Sequence, residues 1–182
     1  VRSSAASDVY KRQGDELAIN VGSNCYFTSD ISNLTWLPDQ PYTAGGWGYI
    51  GGKAHSTTSE IYNTLDGPIY QTWREGNWSY KIDAPIGEYE IELLIADVTK
   101  PAAQLANLLN KNKEEKHSGE TRFHISICGK QVETNFSPID GGKHRTAFKR
   151  RYIIRNEHDH IVISAGAVKG EPFLAGIKVR KL

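Results

Sequence analysis

The most regular pattern in the chain runs through Tyr89, Ile91, Leu93 and Ile95, which alternate with Glu88, Glu90 and Glu92. Successive side chains of a β-strand point to opposite faces, so this period of two predicts a strand with one core face and one solvent face. Pro85, Ile86 and Gly87 before it read as a turn. Residues 122–128 repeat the pattern, with Phe123, Ile125 and Ile127 inward, and end at Gly129 and Lys130. Leu17, Ile19 and Val21 alternate with Ala18 and Asn20 and give another half-buried strand, ended by Gly22, Ser23 and Asn24. Residues 69–74 and 78–82 read as two strands on either side of a Glu75-Gly76-Asn77 turn. Residues 152–155, 160–164 and 173–179 complete the set.

Short strands punctuated by turns predict an all-β fold, an antiparallel β-sandwich rather than a parallel sheet. The exception is residues 101–116. Pro101 suits a first helical turn, Leu105, Leu108 and Leu109 recur at helical spacing, and residues 110–116 are a charged tail. This predicts one short amphipathic helix inserted in a loop and docked on the sandwich edge. Residues 1–13 show neither period and lack the apolar run of a signal peptide. Asp8 to Gln13 resembles the translation of a transposase adapter end; the alternative is a linker from a preceding domain. Either way the fold is expected to occupy residues 14–182, within a longer parent protein.

The stretch 44–52, Ala-Gly-Gly-Trp-Gly-Tyr-Ile-Gly-Gly, fits neither helix nor regular strand. It carries a Trp and a Tyr among residues without bulk, and all four tryptophans lie between Trp36 and Trp78. Flat rings on such a loop can lie against a sugar ring. Equally, they can be the core and rim of the sandwich.

Composition narrows the partners. Lys plus Arg is 22 and Asp plus Glu is 21, so no global field favours nucleic acid or a membrane surface. The mean hydropathy of -0.50 and the lack of a long apolar run exclude a membrane-spanning helix. Cys25 and Cys128 are too few for a disulfide framework or a zinc site; they could form one bridge, and two separate buried thiols is the favoured reading. No phosphate-binding loop, dinucleotide fingerprint, zinc-protease motif or nucleophile elbow is present, and no cofactor or metal is expected. His158-Asp159-His160 lacks a third ligand and reads as a solvated turn. The run Lys149-Arg150-Arg151 reads as an exposed strand surface.

From Leu17 to Leu182 the chain resembles the malectin-like carbohydrate-binding domains. The resemblance rests on Ile19-Asn20-Val21-Gly22, Trp47-Gly48, Ile69-Tyr70-Gln71-Thr72-Trp73-Arg74, Gly87-Glu88-Tyr89 and the last strand. The Leu-Pro-Asp-Gln-Pro-Tyr segment, the glycine stretch and the insertion at 104–109 resemble the domain at the C-terminus of bacterial family 2 glycoside hydrolases of β-galactosidase type. This implies a jelly-roll sandwich, an upstream catalytic domain in the same parent chain, and a periplasmic or extracellular location through the parent's signal. Malectin's sugar-holding residues transfer poorly. Its first tyrosine matches Trp47, its second falls on Glu75, its Tyr-Phe pair on Thr99 and Lys100, and its Asp on Gly170.

The expected function is therefore a non-catalytic carbohydrate-binding module. Its site would be rebuilt from Trp36, Trp47, Tyr49 and Trp73 as stacking rings, with Asp39, Arg74 and Glu75 as hydrogen-bonding groups. The alternative is a structural domain that packs on the catalytic domain without binding sugar. An independent hydrolase ranks last, since no catalytic constellation appears. Exposure separates the first two: at least two of the four rings must line one open cleft for sugar binding.

Overall fold

The computed structural model describes residues 16–98, 121–138 and 144–182. The helix expected at 101–116 and the tail at 1–13 lie outside these residues. The elements in chain order are β1 (Glu16–Asn20), β2 (Phe27–Thr28), β3 (Thr35–Pro38), β4 (Trp47–Ser56), α1 (Gly67–Tyr70), β5 (Thr72–Asp83), β6 (Gly87–Ala96), β7 (Arg122–Ile127), β8 (Lys130–Phe136), β9 (Ala147–Asn156), β10 (His160–Lys169), β11 (Phe173–Leu174) and β12 (Gly176–Lys181). They form two sheets. One has the order β2-β3-β1-β12-β6-β9. The other runs β11-β5-β10-β7-β8, with β4 also paired to β5. The pairings between these strands are antiparallel except β1 with β3, which run parallel through Ile19 and Leu37; two isolated bridges, Pro41 with Tyr49 and Tyr62 with Thr146, are also parallel.

The alternation in the sequence decides which side chains meet between the sheets. Leu17, Ile19, Tyr89, Ile91, Leu93, Ile95, Ile177 and Val179 come from the first sheet. Trp47, Trp78, Tyr80, Ile82, Phe123, Ile125, Ile161 and Ile163 come from the second. Burying each aliphatic side chain of this size stabilises by about 1.5–3 kcal/mol. The all-β sandwich is thus the one the period of two predicts.

The outer face of the first sheet is not the solvent face that the glutamates suggest. Leu94 and Ala96 point outward there. They form a second apolar cluster with Ala18, Trp36, Ile61, Ile69, Tyr70, Ala147 and Ala175. Lower on the same face, Glu92 is only 2% exposed. Cross-strand neighbours cover it: Lys149 at 3.2 Å, Arg151 at 3.2 Å and Lys178 at 3.7 Å. Arg180 and Arg151 hold Glu90 in the same way, at 3.1 and 3.7 Å. The basic run is therefore split by the pleat. Lys149 and Arg151 pair with these glutamates, while Arg150 turns to the other side and meets Glu133 at 3.5 Å.

Four local readings change. Residues 67–70 form a helical turn before the strand, because Pro68 presets the helical φ and has no N–H to leave unpaired. Glu75-Gly76-Asn77 is not a turn: β5 runs straight through it, with an irregularity in register opposite Gly52. The glycine stretch is likewise part of a strand, β4, paired with β5 from Trp47 to Ser56. The last strand breaks at Ala175, where the chain leaves one sheet as β11 and enters the other as β12. Both cysteines are free, as expected, but Cys25 is exposed and Cys128 half-buried.

The two signature segments explain each other. Residues 40–42 run beside β4: Tyr49 N–H donates to the Gln40 carbonyl at 2.8 Å, and Tyr42 N–H to the Tyr49 carbonyl at 2.9 Å. A Cβ on Gly48 would lie 2.5 Å from backbone atoms of Gln40, Pro41 and Tyr42. Only a glycine lets the two backbones approach this closely.

Gly48→Ala should cost about 2–4 kcal/mol in urea unfolding. Gly67→Ala, whose Cβ meets nothing within 4 Å, should be neutral or slightly stabilising. For Glu92, burial pushes the carboxyl up, but Lys178 and Lys149 with Arg151 more than offset it. Its pKa is held below the ordinary 4.5. A depressed folded pKa adds stability above the unfolded value that is lost as pH falls through the folded value. Unfolding curves of wild type and Glu92→Gln should therefore differ above pH 4.5 and converge at more acid pH.

Candidate functional site

The seven residues singled out by the sequence fall into three places. Trp36 and Trp47 are each 4% exposed and belong to the two apolar clusters, so neither ring offers a face to a ligand. This corrects the stacking role expected of them. Trp36, in β3, packs into the cluster outside the first sheet beneath α1, while Trp47, the first residue of β4, faces the core between the sheets.

Asp39, Arg74 and Tyr49 meet in a buried polar network. Arg74 Nε and Nη2 donate to Asp39 Oδ2 at 3.1 and 2.9 Å. The two side chains are only 6% and 2% exposed. Tyr80 donates its hydroxyl to Asp39 at 3.0 Å, and Gly22 N–H donates at 2.8 Å. Arg74 Nη1 donates to the carbonyls of Gly51 and Gly52 at 3.3 and 3.2 Å. The guanidinium lies over the Tyr49 ring, 3.3 Å from its centroid. Burial pushes the Tyr80 hydroxyl well up, and the Asp39 charge adds to this, so Tyr80 stays a donor. Burial alone would lower the Arg74 pKa, but the Asp39 charge and its hydrogen bonds more than offset that and raise it. Charges this deep are tolerated because they are paired and hydrogen-bonded. The pair is occupied within the fold and is not presented to solvent, contrary to its expected hydrogen-bonding role towards a sugar.

Trp73 and Glu75 form the third place. Trp73 is half-buried; its Nε1 donates to Glu75 Oε2 at 3.0 Å. Its ring stacks on His55, with centroids 5.6 Å apart and planes 19° from parallel. Glu75 faces a groove of about 480 Å³ at the β4–β5 irregularity, lined by Gly52, Lys53, His55, Glu75, Gly76, Asn77 and Glu171. Two glycines leave room close to the backbone, and Lys53, Asn77 and the two glutamates offer donors and acceptors. Such a mixture suits several hydroxyl groups held in one orientation. Among the described residues no group of three or more His, Cys, Asp or Glu could hold a metal ion.

Of the groove residues, only Glu75 was picked out in the sequence. Lys53, His55 and Asn77 carry no motif; the pairing of β4 with β5 brings them together. Glu171 had a faint signal, since it follows Gly170, where the resemblance places malectin's Asp.

Comparison with known proteins agrees with this architecture. Beta-glucuronidase 2 of Bacteroides uniformis, solved covalently bound to cyclophellitol-6-carboxylate aziridine, is 45% identical with a TM-score of 0.80. The match covers 93% of this chain and 18% of that one, in its C-terminal region. The ANX1 ectodomain of Arabidopsis thaliana shares the fold at 16% identity and a TM-score of 0.66, over 91% of this chain and 47% of that one. A curated relative, Kinesin-like protein KIN-14E of Oryza sativa subsp. japonica, is 28% identical over 136 residues, 73% of this chain and 12% of its own length. The chain thus spans a minor part of each of these proteins. The Malectin domain family matches residues 16–177, nearly the whole described sandwich, and the chain belongs to that family.

Proposed function

We propose that this domain is a non-catalytic carbohydrate-binding module carried by a glycoside hydrolase, and that the groove at the β4–β5 irregularity is its sugar site. The observation that carries the reading is positional. The groove is lined by Glu75 and by Glu171, beside Gly170, where the resemblance places two of malectin's sugar-holding residues. Trp73 with His55 offers ring area beside it, and Lys53, Asn77 and the glutamates offer hydrogen bonds. A single open site of this kind binds weakly, and tethering to a catalytic domain makes weak binding useful by raising the effective concentration.

The parent is proposed to be a bacterial β-glycosidase located in the periplasm or outside the cell. The 45% identity to Bacteroides uniformis beta-glucuronidase supports the glycosidase; β-galactosidase specificity lies within the same class. The location follows from the resemblance to secreted glycoside hydrolases; separately, no described helix is long and apolar enough to cross a membrane. The second reading is a structural domain that packs on the catalytic domain. The exposure test favours it: Trp36 and Trp47 are buried, Arg74 covers the Tyr49 ring and only Trp73 stands beside the groove, so no two of the four rings line one open cleft, and Asp39 and Arg74 are used internally.

Titration with neutral and acidic oligosaccharides, followed by tryptophan fluorescence, separates the two. Sugar binding predicts a saturable change with one sugar class. Losing one hydrogen bond costs about 0.5–1.5 kcal/mol, so Glu75→Gln and Asn77→Ala should each weaken it roughly three- to tenfold with unfolding midpoints unchanged. No response across the panel selects the structural reading.

A further inference from the structure

We infer that Arg74, held by Asp39, is a positioning residue that sets the shape of the groove from beneath. For its effect on binding, the inference rests on the groove being the sugar site. Its structural content stands apart from that reading.

The connection can be followed atom by atom. Gly51 and Gly52 have φ of +76° and +68°, the left-handed region that favours glycine. The register between β4 and β5 shifts here, between Gly51 and Lys53. At this break the Gly51 and Gly52 carbonyls accept from Arg74 Nη1. The guanidinium itself has little freedom. Asp39 accepts from two of its nitrogens, and the Tyr49 ring covers its face. Asp39 is fixed in turn by Tyr80 and Gly22, from β5 and the end of the first strand region. A chain of direct contacts therefore runs from the core to Gly52, a lining residue of the groove.

The other wall hangs on the same residue. Trp73 and Glu75 flank Arg74 in β5, are bonded to each other, and reach the groove through Glu75 and the ring stack on His55. Gly52 also packs directly on the arginine, since a Cβ there would lie 2.8 Å from Arg74 Cγ. One planar fork thus serves a carboxylate on one side and two carbonyls on the other. A lysine ammonium is a compact point charge on a flexible stem and cannot reach all three.

The test is the amide and indole NMR spectrum of the whole chain as wild type, Arg74→Lys and Tyr80→Phe, with sugar titrations alongside. In Arg74→Lys, shifts should concentrate on the Gly51, Gly52, Lys53, His55 and Asn77 amides and the Trp73 indole. The Ile91 and Ile125 amides should stay in place. Sugar affinity should fall at least tenfold. Tyr80→Phe keeps the ion pair and removes one donor to Asp39, so smaller shifts of the same sign should appear at Gly51 and Gly52. If Arg74→Lys does not fold, Tyr80→Phe decides alone. Unmoved groove amides in the variant that folds, or shifts spread evenly through both sheets, would overturn the inference. Moved groove amides with unchanged sugar affinity would overturn its functional half. If wild type binds no sugar, the carbohydrate reading fails while the spectra still decide whether Arg74 shapes the groove.

Discussion

The Asp39–Arg74 ion pair is the constraint around which this sandwich is arranged. Two charges with side chains 6% exposed or less cannot stand unpaired, because an isolated buried charge costs far more than one domain's stability can absorb. Their partners must therefore converge: Gly22 after β1, Tyr80 within β5, and the carbonyls of Gly51 and Gly52 in β4. Each partner fixes a local choice. The segment after β3 must run close to β4, which Gly48 permits, and β4 must break its register where its carbonyls turn to the arginine.

The same economy explains the aromatic residues. Four tryptophans in a short span suggest a binding platform, yet Trp36, Trp47 and Trp78 are buried. Trp78 donates its Nε1 to the Pro172 carbonyl, which ties β5 to the turn before β11. Only Trp73 stands at the edge, and its indole is engaged by Glu75. The rings supply area to two apolar clusters, one between the sheets and one outside the first sheet beneath α1. The charged residues do comparable work on the outer face, where Lys149, Arg151 and Lys178 close over Glu92.

How much of this was legible depends on whether a strand keeps its period. In β1, β6, β7 and the first half of β10 the inward side alternates without interruption, and those stretches were readable from residues alone. In β4 and β5 the irregularity at Gly51–Lys53 shifts the period, and glycines remove the side chains that would have displayed it. The result reads as a loop and a turn. β8 was missed because its side chains are mostly polar and exposed, with only Phe136 buried. The site shows the same limit. Asp39, Arg74 and Glu75 were recognised as polar groups among rings, but 35 positions separate Asp39 from Arg74, and no periodicity says that they pair. That pairing turns two supposed sugar contacts into an internal tie. Lys53, His55 and Asn77 become neighbours of Glu75 only through a strand pairing that the sequence does not display.

The measurement that tests this account most directly is a double-mutant cycle on Asp39 and Arg74, read by urea unfolding at neutral pH. Asp39→Asn and Arg74→Met each leave one charge buried without its partner and should cost about 3–5 kcal/mol. If the two side chains act as one internal tie, the double variant should cost less than the sum of the singles by about 2 kcal/mol or more. If the costs add to within about 0.5 kcal/mol, the residues act independently. The fold and the groove would then not depend on their pairing.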